Sequence, residues 1–156
     1  MAGALGGRAE RAELRELLGI VSEPGAAAQA LHADGAWGPA SPRVVTLFVA
    51  LVDVTDESAG LPTFFVPGTH APRCFPDGRW RPPPGAGGAD GASGGETWFP
   101  LAAGDLVAMD ALCWHRGGAN ASAAVRRTLL CASFAPRERG SGNPALARFR
   151  GRLPRE

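Results

Sequence analysis

The 156-residue chain contains no tyrosine and no lysine, so its 16 basic residues are all arginine. A lysine nucleophile, a lysine Schiff base, a phosphate-loop lysine and tyrosine acid–base chemistry are therefore excluded. Cysteine is scarce: Cys74, Cys113 and Cys131 form an odd set without short paired spacing. That pattern fits neither a disulfide framework nor a zinc knuckle, and the apolar runs around Cys113 and Cys131 predict buried free thiols. Charge of one sign is also lacking. A formal net charge of +1 gives no general affinity for nucleic acid or a membrane surface. No apolar run reaches the length of a membrane span. Met1 to Leu18 carries Glu10, Glu13 and Glu16 and has no continuous apolar region. It reads as neither a signal nor a transit peptide, so a cytoplasmic location is expected.

What is there is enough for one domain with a core of its own. Leu14, Leu17 and Leu18 share a face of a short predicted helix from about Arg8 to Leu18, stopped by Gly19. Short strands are predicted over Gln29–Asp34, Arg43–Val54, Leu61–Val66, Thr97–Leu101, Asp105–Met109, Leu112–His115 and Arg127–Phe134. The Arg43–Val54 run is almost wholly apolar, as in a strand covered on both faces. Residues 77–95 are rich in Gly, Pro, Ala and Ser, which predicts a flexible excursion. Residues 1–28 read as helix and lead-in, 29–136 as the core, and 137–156 as a basic tail with one helical turn near Ala145. Many short strands and little helix predict a mainly all-β antiparallel sandwich or barrel.

The chemistry concentrates in His32-Ala33-Asp34, answered downstream by His115 and by the pair Arg126-Arg127. Two imidazoles and one carboxylate hold non-haem Fe(II) on one face and leave the opposite positions open. In a strand, His32 and Asp34 point to the same side. His115 must come from a different strand, which a rolled double sheet permits. An arginine about one strand further on suits a dicarboxylate co-substrate. Other candidates have plainer readings. His70 follows a turn and fits a hydrogen-bonding role, and Asn120 fits one satisfying backbone groups in a Gly-rich turn. Trp98 and Trp114 read as core or pocket wall. Arg73, Arg79 and Arg81 read as a solvated basic loop.

Several motifs occur together in order: Gln29-Ala-Leu-His32-Ala-Asp34, Gly60-Leu-Pro-Thr-Phe-Phe-Val-Pro67-Gly68-Thr69-His70, Gly104-Asp105-Leu106-Val107, and His115-Arg-Gly-Gly-Ala-Asn120 with Arg126. From about Gln29 to Phe134 the chain resembles the phytanoyl-CoA dioxygenase family of Fe(II)- and 2-oxoglutarate-dependent oxygenases. The resemblance implies a double-stranded β-helix (jelly-roll) core, with the N-terminal part of the family fold missing and an open sheet edge through which copies or a partner can associate. It implies His32, Asp34 and His115 as iron ligands, with no catalytic residue beyond the metal centre. The arginine eleven residues beyond His115 is Arg126, implied as the anchor of 2-oxoglutarate, with Arg127 on the opposite face. Phe48 takes the place of a family tryptophan. With Thr46 and Ala50 it shares a face predicted to line the interior, so Thr46 and Phe48 are expected at the co-substrate. Gly117 stands where a serine often does. Because Asp34 is retained rather than replaced by a small residue, as in related halogenases, O₂-dependent hydroxylation of a small organic or lipid-like substrate is the expected activity. The alternative is a truncated, non-catalytic jelly roll that binds metal or ligand, or serves as a subunit. A metal-binding cupin is disfavoured by Arg126 and the Gly-rich turn after His115.

Overall fold

The computed structural model describes residues 12–35, 43–54, 62–71, 73–74, 80–81 and 95–136. The excursion over 77–95 lies almost wholly outside the described residues, and the tail after Pro136 lies wholly outside them. The described residues form strands and turns without a helix. None of them makes a helix long and apolar enough to cross a membrane. The described residues hold eight strands: β1 (Ala12–Ser22), β2 (Val45–Ala50), β3 (Thr63–Val66), β4 (Arg73–Cys74), β5 (Trp80–Arg81), β6 (Leu106–Asp110), β7 (Trp114–Gly117) and β8 (Arg127–Pro136). A four-stranded sheet runs in the order β1-β8-β2-β6, with antiparallel pairing throughout. A second sheet pairs β3 with β7. Single bridges extend it on both sides, His32 with His115 and Phe65 with Thr97.

The helix expected from Arg8 to Leu18 is a strand over its described part. Residues 12–22 pair with β8, with one register shift at Arg15 between Leu14 and Glu16. Leu18 and Ile20 pack towards the core, while Leu17 and Val21 face outward. A short isolated helix is marginal in water, whereas every residue of β1 but Arg15 gains a partner from a ten-residue neighbour. Two predicted strands are reduced to bridges. Gln29–Asp34 holds one, at His32, and Thr97–Leu101 holds two, the second joining Leu101 to Val54.

The core lies between the sheets and consists of Phe48, Ala50, Phe65, Met109, Cys113, Leu129 and Cys131. Inward residues alternate along β8, where Arg127, Leu129, Cys131, Ser133 and Ala135 are buried and their neighbours are only half-buried. The period of two is what a strand imposes. Cys113 and Cys131 are free and buried, as expected.

Turn chemistry sets the ends of the short strands. At Pro67-Gly68, proline supplies the fixed φ and Gly68 the positive one (+84°), the combination a type II turn requires. Thr69 then turns inward. Its hydroxyl donates to Val66 O at 2.7 Å and accepts from the Trp114 amide at 2.8 Å, which ties the turn to the start of β7. His70, by contrast, is exposed on the turn.

Candidate metal centre

His32 and His115 lie on neighbouring backbones, and their rings stand 4.5 Å apart between centroids. Nδ1 of His115 lies 3.0 Å from Cys113 O, and Nδ1 of His32 lies 2.9 Å from Ala30 O. Each Nδ1–H donates to its carbonyl, which fixes the tautomer and leaves both Nε2 atoms as lone-pair donors. Both face the same carboxylate oxygen. Asp34 Oδ1 is 3.7 Å from His32 Nε2 and 3.6 Å from His115 Nε2. One donor atom from each residue lies within 4.8 Å of the other two. Atoms so spaced can surround one ion at ordinary metal–ligand distances of about 2 Å. Three donors on one side leave the other side open.

The surroundings differ from one candidate ligand to the next. His115 is 5% exposed, whereas the side chains of His32 and Asp34 are 41% and 40% exposed. Phe48 and Phe65 pack around His115 at 5.8 and 6.4 Å between ring centroids. Burial pushes the His115 imidazole below its ordinary pKa, against the opposing pulls of the Cys113 carbonyl and Asp34. This favours the neutral, metal-binding form.

The triad opens into a cavity of about 510 Å³, whose wall includes Gln29, Phe48, Gly117 and Arg127. Here the two arginines separate. Arg126, expected to point inward, lies outside, 62% exposed, with Nε 3.0 Å from Glu23 Oε2. Arg127 is 6% exposed and lines the cavity. The inside–outside alternation of β8 runs through Leu129 and Cys131, and Arg127 shares their parity. Arg127 Nη2 donates to Gly118 O at 3.1 Å, and Nη1 is buried without a hydrogen-bond partner. Desolvation lowers its pKa from the ordinary value. No carboxylate of the described residues is paired with it, so this cavity-lining guanidinium keeps one nitrogen without a partner.

Gln29 was overlooked as a site residue by sequence reasoning. Its Oε1 accepts from the Gly117 amide at 2.8 Å, so its NH₂ is the end left to donate at the cavity wall. A Cβ on residue 117 would stand 2.9 Å from Gln29 Oε1 and 3.3 Å from Arg127 Nη2. Glycine is what lets these two side chains meet there. The only sequence signal was its place three residues before His32.

Phe48 lines the cavity as expected, but Thr46 does not. Thr46 is fully buried, with its hydroxyl 3.0 Å from Ser133 Oγ, so it joins β2 to β8 rather than meeting a ligand. Asn120, 1% exposed, donates to Ser22 O and Val125 O at 2.8 Å each and accepts from the Ser122 amide. It braces the turn before Arg127, in line with its structural reading.

The profile of the phytanoyl-CoA dioxygenase (PhyH) family matches residues 4–128. No curated protein matches. Among solved structures, SnoN, described as a non-heme α-ketoglutarate-dependent epimerase from nogalamycin biosynthesis, is 28% identical with a TM-score of 0.58, over 84% of this chain and 54% of that one. Its complex with Fe3+, α-ketoglutarate and nogalamycin RO is matched at 25% identity and a TM-score of 0.58, over 93% and 60% of the two chains. EvdO2 from Micromonospora carbonacea var. aurantiaca, complexed with 2-oxoglutarate, shares the fold at 18% identity and a TM-score of 0.62, over 92% and 60%. The chain thus spans little more than half the length of these relatives. A profile match over most of the sequence, with the jelly-roll pairing and the ordered motifs, places this chain in the phytanoyl-CoA dioxygenase family.

Proposed function

We propose that the chain is an Fe(II)- and 2-oxoglutarate-dependent oxygenase acting on a small organic substrate, with His32, Asp34 and His115 as the iron ligands. One observation carries the reading: the triad and Arg127, whose guanidinium keeps one nitrogen without a partner, line the same cavity. A dicarboxylate fits that arrangement, because one end needs a metal with free positions and the other a forked cation. SnoN and EvdO2 have been captured with this co-substrate.

Bound iron with 2-oxoglutarate and O₂ supplies the oxidising power for attack on a C–H bond. The chain's own residues position and exclude. Arg127 takes the distal carboxylate by charge-assisted hydrogen bonds, and Gln29 adds a neutral donor beside it. Phe48 and Phe65 keep the His115 side of the centre dry. The carbonyls of Ala30 and Cys113 hold the imidazoles in the binding tautomer. Asp34 supplies the single negative charge that partly offsets the ion's two.

Anaerobic titration of the protein with Fe(II) and 2-oxoglutarate tests this directly. The metal-to-ligand charge-transfer band should appear in the visible and saturate at one equivalent of each, and admitting O₂ should yield succinate. Absence of the band at millimolar ligand would refute the reading.

A further inference from the structure

The same cavity has a second end. Along the inner face of β8, Arg127 comes first and Cys131 lies two inward positions on, beside Phe48 of β2 in register. Phe48 packs against His115, so the metal centre stands near the Cys131 level. Ser133 follows one inward step further, roughly 7 Å along the strand. Glu16 of β1 pairs with Ser133, and its side chain lines the cavity. Glu16 therefore lies beyond the metal on the side away from Arg127. Glu16, Asp34 and Cys131 line the same cavity, and burial first, then the two carboxylates, push the Cys131 thiol pKa up. Glu16 makes no hydrogen bond or ion pair among the described residues.

A register shift between Leu14 and Glu16 aims β1 at this end. Glu13 is opposite buried Ala135, and Glu16 is opposite buried Ser133. In an unbroken strand, residues three apart would face opposite ways. The bulge turns both carboxylates to the inner side, a use bulges commonly have beside active sites. Glu13 Oε2 is buried there without a hydrogen-bond partner.

Resting on the oxygenase reading above, we infer that Glu16 selects a substrate that carries a cationic group, held about one inward strand step from the carbon presented to iron. Opposite ends of the cavity then bind opposite charges, an anionic co-substrate at Arg127 and a cationic substrate at Glu16.

The test uses the full chain, loaded anaerobically with Fe(II) and 2-oxoglutarate, and two probes of equal chain length. Hexyltrimethylammonium has no lone pair for the metal, and 1-hexanol is neutral. Perturbation of the charge-transfer band and calorimetry should both show the cation binding roughly fivefold tighter, the size expected of a half-exposed ion pair. Glu16→Gln should remove that preference while leaving 2-oxoglutarate affinity in place, and Glu16→Lys should shift it to hexanoate. Equal binding of the two probes, or a preference that survives Glu16→Gln, would overturn the inference. If no band forms in the unsubstituted protein, the oxygenase reading fails by itself. Calorimetry on the metal-free protein then still decides whether Glu16 prefers the cation.

Discussion

His32 and His115 exchange both backbone hydrogen bonds, His32 N to His115 O at 3.0 Å and the reverse at 2.8 Å. Such a pair has its side chains on the same side of the sheet, about 5.5 Å apart at Cα. Two candidate ligands remote in sequence thus become nearest neighbours through main-chain pairing alone. Asp34, two residues beyond His32, completes the set.

Metal binding should therefore lock this bridge. Adding Fe(II) anaerobically, or Co(II) as a stable substitute, should raise the melting temperature, with about 2.7 kcal/mol gained at a metal concentration of 100 Kd. A chelator should reverse the rise. In Asp34→Ala most of the gain should vanish and turnover should stop. A variant stabilised by metal as strongly as the parent would show that the carboxylate is not a ligand.

The two adjacent arginines should behave oppositely. Arg127→Leu removes a charge-assisted contact worth about 2–3 kcal/mol, so 2-oxoglutarate Kd from the charge-transfer titration should rise roughly 30- to 150-fold. Arg126→Leu breaks an exposed ion pair with Glu23, worth at most about 1 kcal/mol of stability, and should leave Kd within about twofold. Without ligand, Arg127→Leu should be as stable as the parent or more so, because a buried, half-satisfied cation is lost. A larger effect on Kd at position 126 would mean that the exposed arginine swings inward on binding.

Gly117→Ala places a methyl 2.9 Å from the Gln29 carboxamide oxygen and 3.3 Å from Arg127 Nη2. One of these groups must move. Weaker 2-oxoglutarate binding, by about tenfold, is expected with little change in metal affinity measured by the same titration. Unchanged affinity would show that the cradle tolerates a side chain.

Asn120→Ala leaves the carbonyls of Ser22 and Val125 without their donor, in a place almost closed to water. Urea unfolding should report a loss of about 2–3 kcal/mol. A loss under about 0.5 kcal/mol would mean that water replaces the amide.

Much of the fold was legible residue by residue. The apolar run of β2, the Pro67-Gly68 turn and the alternation of β8 each follow a local rule, and each appears where that rule puts it. The N-terminal segment did not follow one. Leu14, Leu17 and Leu18 satisfy a helical period, and only the presence of β8 alongside makes the extended form better. Arg126 and Arg127 defeated spacing for a similar reason. Counting from His115 crosses an irregular turn braced by Asn120, and a one-residue error there exchanges inside for outside.

The amino-acid order by itself determined the candidate donor set, its sequence and the family, since donor chemistry and turn residues are properties of single side chains and short motifs. Tertiary structure alone decided which arginine faces the cavity, that Gln29 and Gly117 share its wall, and that Glu13 and Glu16 point the same way. Those outcomes depend on strand register and a bulge, and register is set by what lies on the neighbouring strand.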